Sequence, residues 1–335
     1  MGQVSEEVYR QAAGLIESSN NVLVTTHTRP DGDACGCLVA ILEILRNRGK
    51  TARPLLLSPM PGWYEFMFEE KVPVLGADVQ VQDLTGGAFG QIDLVIIADT
   101  NSHSQLPGLE DYLRRTETPI LVFDHHVTSD NLGQVEICDP TAAAAGLVLL
   151  EFLRHTDWPI TQRIADGLFV AIATDTGWFH LRNTDCRVFR ECAALVEAGV
   201  EPNDLYHKLY QSYSHSRFKL MVALLNTLEL QFDGRYASQY LVRADFERIG
   251  AAYRDTENLI NECQRIGSVV VAALFVELKD GRIRCSLRSR ESVNVSEIAV
   301  KFGGGGHKMA AGTYLPGPIE HARQLIYDEV AERLT

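Results

Sequence analysis

In the first half of the chain, short apolar runs rich in β-branched residues alternate with longer stretches in which apolar residues recur at helical spacing. The stretch over residues 33–48 predicts a helix that ends at Gly49. Four apolar runs predict strands, over residues 22–26, 55–57, 93–98 and 120–123. Strands and helices that alternate in this order are typical of a parallel α/β sheet.

Further along the chain, helical patterns dominate before strands return. Helices are predicted over residues 143–154, 160–173 and 186–198, with Asn183 or Thr184 as the cap of the third, and over residues 204–228. Hairpin turns are predicted at Asp233-Gly234 and at Asp280-Gly281, the second joining strands over residues 269–277 and 282–289 after a helix over residues 257–266. We therefore predict a parallel-sheet domain over residues 1–185, a helical linker over 186–234 and a smaller α/β domain over 235–335.

Polar residues follow the predicted strands at the ends where parallel sheets bind ligands. His27 follows the first strand, Asp99 the third and Asp124 the fourth. Because the carboxyl ends of parallel strands meet at one edge of a sheet, we expect these side chains to converge.

The densest of these polar segments is His27-Thr-Arg-Pro-Asp31-Gly-Asp33. The glycine between the two aspartates lets the backbone bend tightly, so that both carboxylates can face one cavity together with the imidazole. An alternative interpretation makes Asp33 the N-cap of the helix and Asp31 a turn residue, which are common roles for aspartate. The segment alone leaves both interpretations open.

Acidic and imidazole side chains at four such positions form one candidate set of metal ligands. The set is His27, Asp31, Asp33, Asp99, His125 and Asp175. Four carboxylates packed together would repel one another strongly unless cations lie among them. Oxygen-rich sites with imidazoles and no thiolate favour manganese or magnesium over structural zinc, and a shared aspartate can bridge two ions. Such a pair lowers the pKa of a bridging water and neutralises phosphoryl charge, which predicts phosphoester hydrolysis.

The charge of the chain limits its partners. A formal net charge of -13 argues against long duplex DNA or an anionic membrane as the main partner, since both require a dense basic surface. Residues 281–308 are the basic exception, and their alternation places Ile283, Cys285 and Leu287 on one strand face. The other face carries Arg282, Arg284, Ser286 and Arg288, either as a solvated surface or as a contact for an anionic substrate.

Other features of composition predict a cytoplasmic protein. The apolar runs are shorter than the roughly 20 residues of a membrane helix, and the N-terminus carries Glu6 and Glu7 where a signal peptide has basic residues. The seven cysteines are scattered and lack zinc-binding CxxC pairs, so we interpret them as reduced packing residues.

With these segments in view, the chain resembles the DHH phosphoesterase superfamily, in particular its nanoRNase and phosphoadenosine-phosphatase branch. The resemblance is carried in order by the motifs that begin at His27, at Ala98-Asp99-Thr100, at Asp124-His125-His126, at Ala173 and at Phe302-Gly-Gly-Gly-Gly306-His307. It covers nearly the whole chain. It implies an N-terminal DHH catalytic domain and a C-terminal DHH-associated substrate domain.

The resemblance also implies roles for particular residues. One ion is expected on His27, Asp31 and Asp99, and the other on Asp33, Asp99, His125 and Asp175. His126 is expected to face the phosphate, and Asp124 to orient the imidazoles. Substrate contacts are expected from Arg288, Ser289, Arg290, Asn294, Gly304, Gly305, Gly306 and His307. Backbone amides of the glycine run can face an anion without side chains in the way.

The function that the resemblance implies is hydrolysis of very short RNA, linear dinucleotides such as pApA and 3'-phosphoadenosine 5'-phosphate to nucleoside monophosphates. The expected cofactors are two divalent ions, Mn²⁺ first, with Mg²⁺ or Co²⁺ as alternatives. The alternatives for function are a RecJ-like single-strand exonuclease, a pyrophosphatase or a non-catalytic nucleotide-binding regulator. The oligomeric state is left open between a monomer and a homodimer.

Overall fold

The β-branched runs of the first half form a five-stranded parallel sheet in the computed structural model, which describes residues 4–85, 87, 89–290 and 293–334. Its strands are β1 (Asn21–Thr26), β2 (Thr51–Leu55), β3 (Leu94–Ala98), β4 (Ile120–Asp124) and β5 (Val135–Cys138), in the spatial order β2-β1-β3-β4-β5. All four strand pairs are parallel, so the ends of β1, β3 and β4 lie at one edge of the sheet. The predicted parallel α/β fold is therefore confirmed, and β5 is a strand that the sequence pattern did not predict.

Helices cover the sheet and form the rest of the first unit. They are α1 (Glu6–Ser18), α2 (Gly32–Asn47), α3 (Glu110–Arg115), α4 (Ala145–His155), α5 (Gln162–Asp175), α6 (Cys186–Glu197) and α7 (Pro202–Tyr210). α6 is capped by the side chain of Asp185, which accepts a hydrogen bond from the amide of Val188. The prediction of Asn183 or Thr184 as this cap was wrong, because aspartate one residue later takes the position.

Glycines allow α2 to pack directly on the backbone of α5. A Cβ atom on Gly36 would lie 2.3 Å from the carbonyl oxygen of Gly167, and a Cβ atom on Gly32 would lie 2.3 Å from the hydroxyl oxygen of Thr174. The backbones of the two helices therefore lie close together. Because Gly32 meets Thr174 and the later Gly36 meets the earlier Gly167, the helices run in opposite directions. This packing brings the start of α2 next to the end of α5.

The second unit is built on a mixed sheet of six strands. Its elements are α8 (His215–Leu225), β6 (Glu229–Gln231), β7 (Tyr236–Leu241), α9 (Arg243–Ile249), β8 (Val271–Glu277), β9 (Ile283–Ser289), α10 (Val295–Lys301), β10 (Gly305–His307), β11 (Ala310–Leu315) and α11 (Ile319–Leu334). The strand order is β10-β11-β9-β8-β7-β6, and only β7 and β8 pair in parallel among the strands of the described residues. A 3₁₀ helix over Leu259–Arg265 lies where an α-helix was predicted.

Both predicted hairpins are present. β6 and β7 pair in antiparallel fashion around Gly234, and β8 and β9 pair around Gly281, and both glycines have positive φ. The predicted alternation in β9 is also confirmed, since Ile283, Cys285 and Leu287 are buried.

The chain divides by its internal contacts into Met1–Ser212 and Tyr213–Thr335. Helices α6 and α7, which lie in the predicted linker region, belong to the first unit, and α8 belongs to the second. Across the ranges that the structure describes, no helix has the length and apolar character needed to cross a lipid bilayer.

Candidate metal centre

The first segment of the centre lies between β1 and α2. Asp31 is the N-cap of α2, and its Oδ1 accepts hydrogen bonds from the amides of Asp33 (3.1 Å) and Ala34 (3.2 Å). His27 uses Nδ1 to donate to the carbonyl oxygen of Thr28 (2.8 Å), which leaves Nε2 at 3.2 Å from Oδ2 of Asp99 and 3.8 Å from Oδ1 of Asp31. Burial lowers the pKa of His27, but the two carboxylates outweigh it and raise the pKa to about 11.

Asp33 lies in the first turn of α2 with its carboxylate held by another helix. Its Oδ2 accepts a hydrogen bond from the amide of Ala145 (2.6 Å) and its Oδ1 from the amide of Gly146 (2.9 Å), at the start of α4. Helix N-termini favour such anions because the amides there have no partner within the helix. Burial, with the charges of Asp99 and Asp175, nevertheless raises the pKa of Asp33 well above its ordinary value.

Asp99 is buried at the end of β3 and lies between two imidazoles. Its backbone has a φ of 61°, in the left-handed region, and its amide donates to the carbonyl oxygen of Phe123 (2.8 Å). Oδ2 faces His27, while Oδ1 lies 3.5 Å from Nε2 of His125. Burial acts to raise the pKa of Asp99, but His125 and His27 hold it at about 2. Within the described ranges, Oδ1 is a buried oxygen that accepts no hydrogen bond.

In the Asp124-His125-His126 segment, the aspartate accepts hydrogen bonds from the two histidines that follow it. Oδ1 of Asp124 accepts from the amide of His125 (2.8 Å) and lies 2.7 Å from Nδ1 of His126. This hydrogen bond to Asp124 raises the pKa of His126, whose side chain is half exposed.

His125 faces the group of carboxylates. Its Nε2 lies 3.7 Å from Oδ2 of Asp33 and 3.8 Å from Oδ2 of Asp175, and its Nδ1 lies 3.3 Å from the carbonyl oxygen of Ala142. Burial lowers the pKa of His125, but the carboxylates, with Asp99 first, raise it to about 10. The pKa of Asp175 is raised to about 6 by burial, against the opposing charge of His125.

Three groups of side chains are arranged so that they could hold a metal ion. In each group, one ligand atom from every member lies within 4.8 Å of the others. The groups are His27, Asp31 and Asp99; Asp33, His125 and Asp175; and Asp99, His125 and His126. The structure thus brings all six residues of the predicted ligand set to one edge of the sheet, and Asp99 and His125 each belong to two groups. The buried oxygen of Asp99 that accepts no hydrogen bond within the described residues fits a bound cation.

Sequence reasoning missed the backbone groups that hold these ligands. The carbonyl oxygen of Ala142 and the amides of Ala145 and Gly146 contact two ligands that are distant in sequence. The predicted helix began at residue 143, whereas α4 begins at Ala145, and no side chain marks that start as a binding position.

In the second unit, Arg288 lies on the more polar face of β9. Its Nη1 donates to the carbonyl oxygen of Leu287 (3.1 Å), and burial lowers the pKa of the guanidinium below its ordinary value. Arg290 is exposed, and its guanidinium donates to the carbonyl oxygens of Gln264 (2.9 Å) and Gly267 (2.8 Å).

Several other predicted substrate contacts are engaged within the unit itself. Ser289 is buried and donates to the carbonyl oxygen of Val293 (2.7 Å). Asn294 is the N-cap of α10. The amide of Gly304 donates to the carbonyl oxygen of Ala299 (2.9 Å), and Gly305 and Gly306 pair with β11. The side chain of His307 lies outside the described residues.

Comparison with known proteins matches both units. The model of the DHH family, N-terminal domain, matches residues 21–172, and the DHHA1 domain matches residues 234–334. The chain is 29% identical to the bifunctional oligoribonuclease and PAP phosphatase NrnA of Thermus thermophilus, over 94% of this chain and 90% of that protein.

Solved structures share the fold. An exopolyphosphatase-related protein from Bacteroides fragilis superposes with a TM-score of 0.90 at 21% identity, over 100% of this chain and 98% of that chain. RecJ from Thermus thermophilus, solved in complex with Mn²⁺, superposes with a TM-score of 0.53 at 13% identity, over 97% of this chain and 55% of that one.

Proposed function

From the premise that this chain is a DHH-family phosphoesterase with a DHHA1 domain, we propose that it hydrolyses short oligoribonucleotides, linear dinucleotides such as pApA and 3'-phosphoadenosine 5'-phosphate to nucleoside monophosphates. The observation that carries the proposal is the position of Asp99, whose two carboxylate oxygens face different imidazoles. A carboxylate of this kind suits two cations side by side.

We assign the ligands of the first ion as His27, Asp31 and Asp99, and those of the second as Asp33, Asp99, His125 and Asp175. The grouping of His27, Asp31 and Asp99 within 4.8 Å supports the first set, and that of Asp33, His125 and Asp175 supports the second. Asp99 is added to the second set because its Oδ1 lies 3.5 Å from Nε2 of His125. The donor set is carboxylate and imidazole without thiolate, which favours Mn²⁺ over zinc, with Mg²⁺ or Co²⁺ as alternatives. When bound, the two ions would supply a water of lowered pKa and offset the charge on the phosphoryl oxygens.

His126 would bind the phosphate of the substrate. Its Nδ1 is engaged by Asp124 at 2.7 Å, so the ring is held in one orientation and Nε2 is the atom left for a ligand. Because Asp124 raises the pKa of His126, the imidazole is favoured in its charged form, which donates to a phosphate oxygen. Asp124 would thus act on the substrate only through His126 and the backbone that it orients.

In the second unit, we assign the nucleotide contact first to Arg288. It lies on the same strand face as Arg284 and Ser286, where the paired residues of β11 are the small Ala310 and Gly312. Ser289 and Gly304 would act through the backbone that they hold, because their own polar groups are already bonded. Arg290, Asn294, Gly305, Gly306 and His307 stay in the proposal as further contacts.

A substrate panel tests the proposal against its alternatives. Turnover of 3'-phosphoadenosine 5'-phosphate, pApA, a five-nucleotide RNA, a long single strand and pyrophosphate is measured with Mn²⁺ and with chelator. We expect hydrolysis of the first three only, and none in chelator. Preference for the long strand would favour a RecJ-like exonuclease, preference for pyrophosphate a pyrophosphatase, and nucleotide binding without turnover a regulator.

A further inference from the structure

The segment between α5 and α6 contains an asparagine that joins two distant parts of the backbone. Nδ2 of Asn183 donates hydrogen bonds to the carbonyl oxygen of Ala143 (3.2 Å) and to that of Asp175 (3.1 Å). An asparagine side chain has two N–H donors on one nitrogen, and both are used here. Because both partners are acceptors, only the amide nitrogen can occupy this position, and a carboxylate there would be repelled.

The two carbonyl groups belong to the backbone that holds the second group of ligands. One is the carbonyl of Asp175 itself. The other, the carbonyl of Ala143, lies in the run 142–146. In this run, the carbonyl oxygen of Ala142 accepts a hydrogen bond from Nδ1 of His125. The amides of Ala145 and Gly146 donate hydrogen bonds to the carboxylate of Asp33. Asn183 therefore connects the backbone at Asp175 to the run 142–146, which binds Asp33 and His125. Its own hydrogen bonds go to carbonyl oxygens and not to the ligand atoms.

Four residues further along the chain, Arg187 contacts two residues that flank the same run in sequence. Its guanidinium donates to Oδ2 of Asp139 from both Nη atoms (2.9 Å) and to Oε1 of Glu151 from Nε (2.9 Å). The carbonyl oxygen of Asp139 accepts from the amide of Ala142 (2.9 Å), and Glu151 lies within α4. Arg187 thus connects Asp139, which precedes the run 142–146, to the helix α4 that follows it.

We propose that Asn183 is a positioning residue that sets the spacing of Asp33, His125 and Asp175 for one of the two metal ions, and that Arg187 supports it through Asp139. This inference rests on the proposed function for the identity of the ligands. Groups behind metal ligands commonly change metal affinity by about 10- to 100-fold, because a small error in ligand spacing weakens every bond to the ion.

The test measures, by titration calorimetry, the binding of Mn²⁺ alone to the full-length, metal-free protein. The wild type is compared with Asn183→Leu. Leucine is similar in size and removes both donors without adding charge. We expect two Mn²⁺ sites in the wild type and about a tenfold weaker second site in the variant, with the other site unchanged. The melting temperature in chelator should stay within about 2 °C of the wild type, and saturating Mn²⁺ should restore turnover.

Two further variants keep the test decisive. Asn47→Leu changes an exposed asparagine at the end of α2 and should bind both ions as the wild type does. Arg187→Lys keeps the charge but loses the forked hydrogen bonds, and it should weaken the same site as Asn183→Leu. This second variant serves alone if Asn183→Leu does not fold.

The outcomes separate this inference from the proposed function. If the tested variant binds Mn²⁺ at each site as tightly as the wild type does, the positioning role is overturned and the phosphoesterase proposal is left intact. The positioning role would also be overturned if both sites lost affinity equally, or if the loss of affinity came with a lower melting temperature in chelator. A wild type that binds both ions but hydrolyses no nucleotide would instead overturn the proposed function and leave the positioning role standing.

Discussion

Asp33 accepts a 2.6 Å hydrogen bond from the backbone amide of Ala145, across 112 positions of sequence. The bond fixes one carboxylate oxygen of α2 at the first turn of α4, and the amide of Gly146 fixes the other oxygen. A carboxylate held on both oxygens cannot turn away from its charged neighbours. The repulsion among the aspartates is therefore built into the fold.

Asp99→Asn tests the shared ligand. Asparagine tolerates the left-handed backbone of Asp99 better than most residues, so the loop should be retained while the charge is lost. We expect turnover of 3'-phosphoadenosine 5'-phosphate to fall at least about a hundredfold, since even residues behind metal ligands reach that magnitude. Bound manganese, measured by elemental analysis, should fall as well. A variant with near-normal rate and metal content would show that Asp99 does not bridge the ions.

Removal of metal should destabilise the first unit. A ligand at about 100 times its dissociation constant stabilises the folded state by about 2.7 kcal/mol, which is about 5–10 °C in melting temperature for a unit of this size. We expect calorimetry to show a transition that rises by this amount when Mn²⁺ replaces chelator. A second transition, from Tyr213–Thr335, should not move. An equal shift of both transitions would contradict a metal centre confined to the first unit.

Gly36→Ala tests the close packing of α2 on α5. The new Cβ atom would lie 2.3 Å from the carbonyl oxygen of Gly167, so the helices must separate. We expect a loss of about 1–3 kcal/mol in the free energy of unfolding, measured in urea. Gly14→Ala is the matched control, because among the described residues no atom beyond the neighbouring backbone of α1 lies within 4 Å of its Cβ position, and it should stabilise by about 0.5–1 kcal/mol.

Asp139→Asn tests the ion pair with Arg187 through its dependence on pH. Burial acts to raise the pKa of Asp139, but hydrogen bonds from Thr141 and Arg187 outweigh it and lower the pKa. A lowered carboxyl pKa stabilises the folded state above the unfolded value of about 3.9 and loses that contribution as pH falls through the folded value. We expect a cost of about 1 kcal/mol at pH 7 that holds down to about pH 4 and declines only below it, as the unfolded and then the folded carboxyl group is protonated. Glu117→Gln, which removes an exposed carboxylate in the same way, is the control, and its effect at pH 7 should stay within about 0.5 kcal/mol.

Arg288→Ala tests the nucleotide contact. Loss of a charge-assisted hydrogen bond worth about 1.5–3 kcal/mol should weaken nucleotide affinity about ten- to a hundredfold, with manganese content unchanged. Arg282→Ala is the control, because Arg282 is exposed and already paired with Asp280. A small generic phosphodiester should be hydrolysed as before by both variants. Equal losses on the nucleotide and on the small ester would contradict this role for Arg288.

The sequence predicted the parallel sheet because β1, β3 and β4 are continuous apolar runs that end in polar residues. It did not predict β5, whose four residues are too few to establish a pattern. The period of two along β9 already groups Ser289 with Ile283, Cys285 and Leu287, and the structure buries all four. Applied one residue further, the same rule would have predicted a structural hydroxyl at Ser289.

The candidate ligand residues could be selected from the sequence because strand ends converge by topology, whichever side chains occupy them. Their supporting contacts could not, because those are made by main-chain groups of alanine and glycine. Asn183 was predicted, as an alternative to Thr184, to be a helix cap, the usual role of asparagine before a helix, and its long-range bonds have no local signature. The N-cap of α6 is instead Asp185, two residues after Asn183.

The bridge made by Asn183 also sets an order of events during synthesis. All the assigned ligands lie between His27 and Asp175, so a nascent chain that has emerged from the ribosome as far as Asp175 carries every one of them. The main chain behind the second ligand group is joined only when Asn183 emerges, and Arg187 follows four residues later. At a translation rate of about 5–20 residues per second, the delay is on the order of a second. On the assignment proposed above, the newborn domain would therefore pass through a brief stage in which it binds an ion more weakly than the finished protein does.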